Sequence, residues 1–171
     1  MSREGSHRAS DLWMQPFLEH DDRRFYRQVI GRAAEFEPPF GGTPYPCLVW
    51  NHGDPLDESD AGVLADSLIT SNCRYIVSAG VDCESFHDAA DQAFIRRLSH
   101  LPEQVQDERF VMTTWHSNEP MDETTFFFAF NTSFGDHDFH ELLVLHVGGS
   151  PSDHAAVEAS IRKEVVDDAA L

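Results

Sequence analysis

The chain has almost no lysine: Lys163 is the only one in 171 residues, and arginine supplies the rest of a small basic set. Twelve basic residues against 30 acidic ones leave a formal net charge of −18. Binding a phosphate backbone requires cationic surface, so this balance argues against nucleic acid and against anionic membrane as partners. Cysteine is scarce as well. Cys47, Cys73 and Cys83 are an odd number with no C-x-x-C spacing, which argues against a disulfide framework and a zinc ribbon. No apolar run approaches the roughly 18 residues a membrane span needs, and the opening residues lack the apolar segment of a secretory signal; a cytoplasmic protein with reduced thiols is the expectation. There is no G-x-G-x-x-G, no P-loop and no G-x-S-x-G elbow, so dinucleotide, nucleoside triphosphate and serine hydrolase chemistry have no motif to stand on. No repeat of 20 to 50 residues is visible, which excludes a solenoid or propeller.

What is present suits one soluble core: 41% hydrophobic residues, 13 of them Phe. The most readable stretch is residues 73–98. Tyr75, Ile76 and Val77 are apolar and β-prone, and Ala79 and Gly80 let the chain turn out of a sheet. Asp82 or Ser85 can then cap a helix in which Phe86, Ala90, Phe94 and Leu98 recur every four residues on one face. This is a βα unit.

Similar units surround it. Residues 1–11 read as a disordered tail, and Asp21 or Asp22 caps an expected first helix with Phe25, Tyr26, Val29 and Ile30 opposite Arg23, Arg24 and Arg27. Residues 37–46 are a Pro- and Gly-rich linker, so the chain divides into a preface, 1–46, and an α/β domain, 47–171. Residues 47–50 form an expected strand, followed by a helix over about 57–70 capped by Asp60 or Ser59, with Val63, Leu64, Leu68 and Ile69 inward. Residues 109–114 form a third strand. Residues 121–131 are ambiguous: Thr124 to Phe128 are β-prone, whereas Pro120, Asp122, Glu123 and Asn131 fit the ends of a helix. The helix preserves strand–helix alternation, so that 142–147 returns as a fourth strand. A last helix capped by Ser152 or Asp153 carries Ala156, Val157, Ile161 and Val165. The expected fold is a compact three-layer α/β sandwich with a mostly parallel four-stranded sheet, Rossmann-like or flavodoxin-like, preceded by an amphipathic helix.

Ligands of open parallel sheets bind beyond the carboxyl ends of the strands. The loops expected there carry Asn51, His52 and Asp54; Asp82, Cys83 and Glu84; His116, Ser117, Asn118 and Glu119; and Gly148, Gly149, Ser150, Ser152 and Asp153. Cys83 stands out, because a helix N-terminus lowers a thiol pKa, and His116 with Glu119 or Asp82 would complete a nucleophile, base and orienter set. Against this, Asp82 and Glu84 favour the neutral thiol. The same Cys83 with His87 and His116, joined by Glu119 or His52, offers nitrogen and sulfur ligands for zinc. Asp136, His137, Asp138 and His140 look metal-like but should lie at the opposite rim, and Asp54, Asp57, Glu58 and Asp60 could hold magnesium.

Charge points elsewhere. Residues 1–32 hold six of the basic residues against five acids, and the rest holds six against 25. A body this acidic attracts a basic protein partner, as an inhibitor or immunity-type protein would. The two expectations are therefore a binding protein for a basic partner and, in another class, a small thiol- or metal-dependent hydrolase or transferase using Cys83, His116 and a carboxylate.

Overall fold

A computed structural model describes residues 15–168, so the expected tail at 1–11 lies outside the described residues. The elements are β1 (Leu18–His20), β2 (Arg23–Ile30), β3 (Tyr45–Asn51), α1 (Glu58–Thr70), β4 (Cys73–Gly80), α2 (Cys83–Leu98), α3 (Glu103–Glu108), β5 (Met112–His116), α4 (Met121–Phe130), β6 (Glu141–Val147) and α5 (Pro151–Asp168). The strands form one six-stranded sheet in the order β1-β2-β6-β3-β4-β5. The β1–β2 pair is antiparallel, and every other neighbouring pair is parallel. The α/β class and the mostly parallel sheet are as expected; the strand count is six rather than four. Among the described residues no helix is long and apolar enough to cross a membrane.

The helices cover both faces. α1 and α2 pack with Ile30, Cys47, Val49, Ile76 and Leu145 on one side. α4 and α5 pack with Phe25, Leu48, Val77, Leu142 and Val144 on the other. Each such side chain, fully removed from water, contributes about 1.5–3 kcal/mol. Successive residues of one strand serve opposite layers, which is why β3, β4 and β6 read as continuous apolar runs.

The expected first helix is strand β2. Phe25 faces the α4–α5 layer, Tyr26 and Ile30 face the α1 layer, and Val29 is half exposed, so no helical stripe exists. Tertiary pairing overrides the helical spacing: without β2, the apolar β6 would present an unpaired backbone edge. The β2 arginines are spent within the molecule. Arg24 pairs with Glu141 on β6, and Arg27 Nη1 lies 3.1 Å from Glu158 Oε1 on α5. Gln28 holds the linker, its Nε2 donating to the Glu37 carbonyl at 3.2 Å and its Oε1 accepting from Glu37 N at 3.3 Å.

Other boundaries shift for local reasons. β3 begins at Tyr45, and Pro46, with no N–H to give, sits where the β3–β4 register slips between Tyr45 and Pro46. Asp57, not Asp60 or Ser59, caps α1, accepting from Asp60 N at 2.8 Å. Ser150 caps α5 in place of Ser152 or Asp153, with Asp153 Oδ2 accepting from Ser150 N at 2.8 Å and Asp153 N donating to Ser150 Oγ at 3.3 Å. Residues Met121–Phe130 are helical, as the terminal signals indicated.

Candidate functional site

The strand ends that carry the expected site are fixed by backbone chemistry. Gly80 closes β4 at φ +82°, where an added Cβ would lie 2.1 Å from the Asn51 carbonyl oxygen. Only glycine fits that approach. Asn51 then ties the two neighbouring loops together: its Nδ2 donates to the carbonyls of Asp54 (2.9 Å) and Val81 (3.1 Å), and its Oδ1 accepts from Gly53 N (3.1 Å). Asp82, left-handed at φ 51°, turns the chain into α2 and accepts from Ser85 Oγ at 2.8 Å.

These turns set α1 and α2 side by side with a groove between them. The groove has a volume of about 1220 Å³, with Leu56, Ala61, Val63 and Ala89 among its apolar lining and Asp57, Glu58, Asp82 and Asp88 among its carboxylates. Asp66, at its far end, is matched by Arg97 Nε at 3.0 Å and Arg96 Nη2 at 3.8 Å. The other four carboxylates have no arginine or lysine ion pair among the described residues. A small cavity of about 20 Å³ adjoins the groove, sharing Leu56, Ala61, Asp82 and Ser85 with it and reaching Ser78, Cys83 and Phe86. That is room for one water-sized group. The Ser78 hydroxyl in its wall is buried and makes no hydrogen bond among the described residues.

The sequence-derived residues distribute over this rim. Asp82 and Cys83 line the small cavity. Cys83 is 3% exposed, and burial, reinforced by Asp82, raises its thiol pKa against the lowering effect of nearby backbone N–H groups. The helix-terminus activation expected of it is therefore outweighed. His116 stands at the end of β5, its Nδ1 2.6 Å from Glu119 Oε2 and its ring 4.6 Å from that of Phe127. His87 turns inward on α2, with Nε2 3.1 Å from Thr113 Oγ1 and its ring 4.5 Å from that of Trp115. Cys83, His87 and His116 are not among the ligand groupings the described residues form; those are His52 with His146 and His154, and Asp22 with Asp138 and His140. The second grouping lies exposed at the opposite rim, where the sequence places Asp138 and His140. In the first, the sequence offers His52 as a partner for Cys83 but marks neither His146 nor His154 as a ligand. The available signals were a histidine inside an apolar strand and the i, i+4 spacing of His154 and Glu158.

The sequence profile of a family described as Domain of unknown function (DUF7684) matches residues 29–164. The chain belongs to this family. The DUF7684 match runs from the end of β2 into α5, and so takes in the groove, the cavity, the His116–Glu119 pair and the three histidines. No curated protein and no solved structure matches the chain.

Proposed function

We propose that this DUF7684 member is a binding protein that takes a basic segment of a partner protein into the groove between α1 and α2. The observation that carries the reading is the set of four carboxylates with no arginine or lysine partner among the described residues, beside an apolar floor. Lysine and arginine side chains suit both surfaces, since their stems cover apolar area while their heads meet carboxylates. The buried Ser78 hydroxyl at the adjoining cavity adds an acceptor for an ammonium-sized group, and an unmet buried hydroxyl costs about 1–3 kcal/mol that such a contact would recover. The place also agrees with the architecture. We read the sheet as Rossmann-like, and the groove's Leu56, Asp57 and Asp82 belong to the loops after β3 and β4, beyond the strand carboxyl ends where ligands of such sheets gather. An inhibitor or immunity-type role, covering a cationic site on another protein, is its most concrete form. Three free, buried cysteines support a reducing, cytoplasmic setting.

The test is binding of a fluorescent lysine- and arginine-rich peptide to the full chain, against an acidic peptide of equal length. Capture of the basic peptide alone is expected, weakening steeply as salt rises. The Asp82→Asn, Asp88→Asn double variant should bind about tenfold more weakly, which corresponds to about 1.4 kcal/mol. Binding that persists at high salt, or that ignores both substitutions, rejects the reading.

A further inference from the structure

On the opposite face of the sheet from the groove, three histidines from separate stretches of chain converge. His52 follows β3, His146 lies near the end of β6 on the face toward α5, and His154 sits in the first turns of α5. One ring nitrogen of each lies within 4.8 Å of one from each of the others. His146 is fully buried, His154 is 8% exposed and His52 is half-buried, so the cluster is closed from behind and open toward His52. We propose that His52, His146 and His154 bind a late first-row divalent cation, zinc above all, with Glu158 and Arg27 as their outer support.

The donor set selects the ion class. Three neutral imidazoles suit zinc, copper or nickel and are poor ligands for magnesium or calcium, which take oxygen. Imidazole is mostly in its neutral form at pH 7, so these rings have lone pairs to offer there. His52 Nε2 and His146 Nδ1 are 2.9 Å apart and share a hydrogen bond. Two nitrogens each 2.0–2.1 Å from a tetrahedral ion stand about 3.3 Å apart, so admitting the ion asks these rings to separate by a few tenths of an ångström.

The outward nitrogens are backed as metal-bound histidines are. His154 Nε2 lies 2.8 Å from the Gly148 carbonyl oxygen, to which it can donate. His146 Nε2 is buried, has no hydrogen bond among the described residues and faces Glu158 Oε1 at 3.7 Å. Burial pushes the Glu158 carboxyl pKa up, but His146 and Arg27 more than offset it, and the group is held below its ordinary range. Arg27 Nη1 reaches both carboxylate oxygens, at 3.1 and 3.4 Å. A carboxylate behind a ligating imidazole fixes the ring, strengthens it as a donor and supplies negative charge beside the cation.

The backbone is also shaped to this arrangement. Gly149 adopts φ +85°, and a Cβ there would fall 2.7 Å from His52 Cβ and 3.2 Å from His154 Nε2. Only a glycine lets the turn into α5 pass over His52 and deliver His154. With three nitrogens engaged, the ion would keep a fourth position on the open side, the pattern of zinc sites that bind water or substrate.

The experiment is calorimetric titration of the chelator-treated full chain with Zn²⁺, and with Co²⁺ followed by its visible absorption. One equivalent is expected, with the intense visible bands of four-coordinate Co²⁺. His52→Ala, at the half-exposed position and so least disruptive to folding, should abolish the site. Glu158→Gln should keep the Co²⁺ spectrum while weakening Zn²⁺ binding about 10- to 100-fold. His140→Ala, at the exposed opposite rim, should leave binding unchanged. Absence of saturable one-to-one binding by the wild type, or wild-type affinity in His52→Ala, overturns the site and makes the cluster a hydrogen-bonded imidazole group. Undiminished affinity in Glu158→Gln overturns the supporting role assigned to the carboxylate.

Discussion

At Gly80 one methyl group decides whether β4 and β3 can share their ends. The position combines φ +82° with a space that a Cβ would fill to within 2.1 Å of a backbone oxygen, and backbone does not yield as a flexible side chain does. Gly80→Ala is expected to cost about 2–5 kcal/mol, summing left-handed strain and overpacking. Gly41 has φ +57° but no described residue within 4 Å of the same added atom, so Gly41→Ala should cost about 1 kcal/mol. Urea midpoints of the two variants should differ accordingly; equal losses would mean that close approach at Gly80 does not matter. Much of this residue-level detail was legible, and some was not. Gly80 reads as a turn from its place after an apolar run, and Asn51 reads as a loop residue from its neighbours. That Asn51 satisfies three backbone groups in two loops depends on where Val81 passes, which composition does not encode. Cys83 was legible as a residue at a helix start, whereas its burial, which reverses the expected effect on the thiol, comes from packing between α2 and the sheet.

Among elements, the long amphipathic helices were the most readable, because four-residue spacing persists over several turns in α1, α2 and α5. β2 differs from the expected helix for a physical reason. Phe25, Tyr26, Val29 and Ile30 satisfy a helical stripe as well as a strand buried on two faces, and only the presence of β6 beside it settles the choice. α4 was ambiguous because Phe126, Phe127 and Phe128 are consecutive, so apolarity has no period there. The structure separates them: Phe128 is fully buried and Phe126 is 40% exposed. In a strand, residues two apart share a face and would be buried alike. Phe128→Ala should therefore lose about 3–5 kcal/mol, and Phe126→Ala within about 1 kcal/mol of nothing. Calorimetric or denaturant unfolding of both checks this; similar losses would favour the strand.

For the whole molecule, the charge of −18 and the histidine cluster pull in different directions as pH falls. Charge was the most legible property of all, since it needs only counting. The cluster was not, because His52 and His146 are 94 residues apart and meet only through the parallel pairing of β3 with β6. Exposed carboxylates stay ionised until about pH 4–5, so their mutual repulsion persists through mild acid and is weakened by salt. The buried imidazoles behave otherwise. His52 is neutral in the fold down to about pH 4, while in the unfolded chain it takes up a proton below about 6.5. Between those values the unfolded state holds more protons, so stability of the metal-free protein falls as pH falls through that window. His146, also lowered, adds in the same direction. Urea midpoints with chelator present should drop steadily from pH 6.5 toward 4.5. High salt should lift every midpoint by relieving repulsion while leaving that slope in place. His52→Gln should make it shallower, with His146 supplying the remainder, and a slope that salt abolishes or that His52→Gln leaves intact would show that His52 does not set the acid sensitivity.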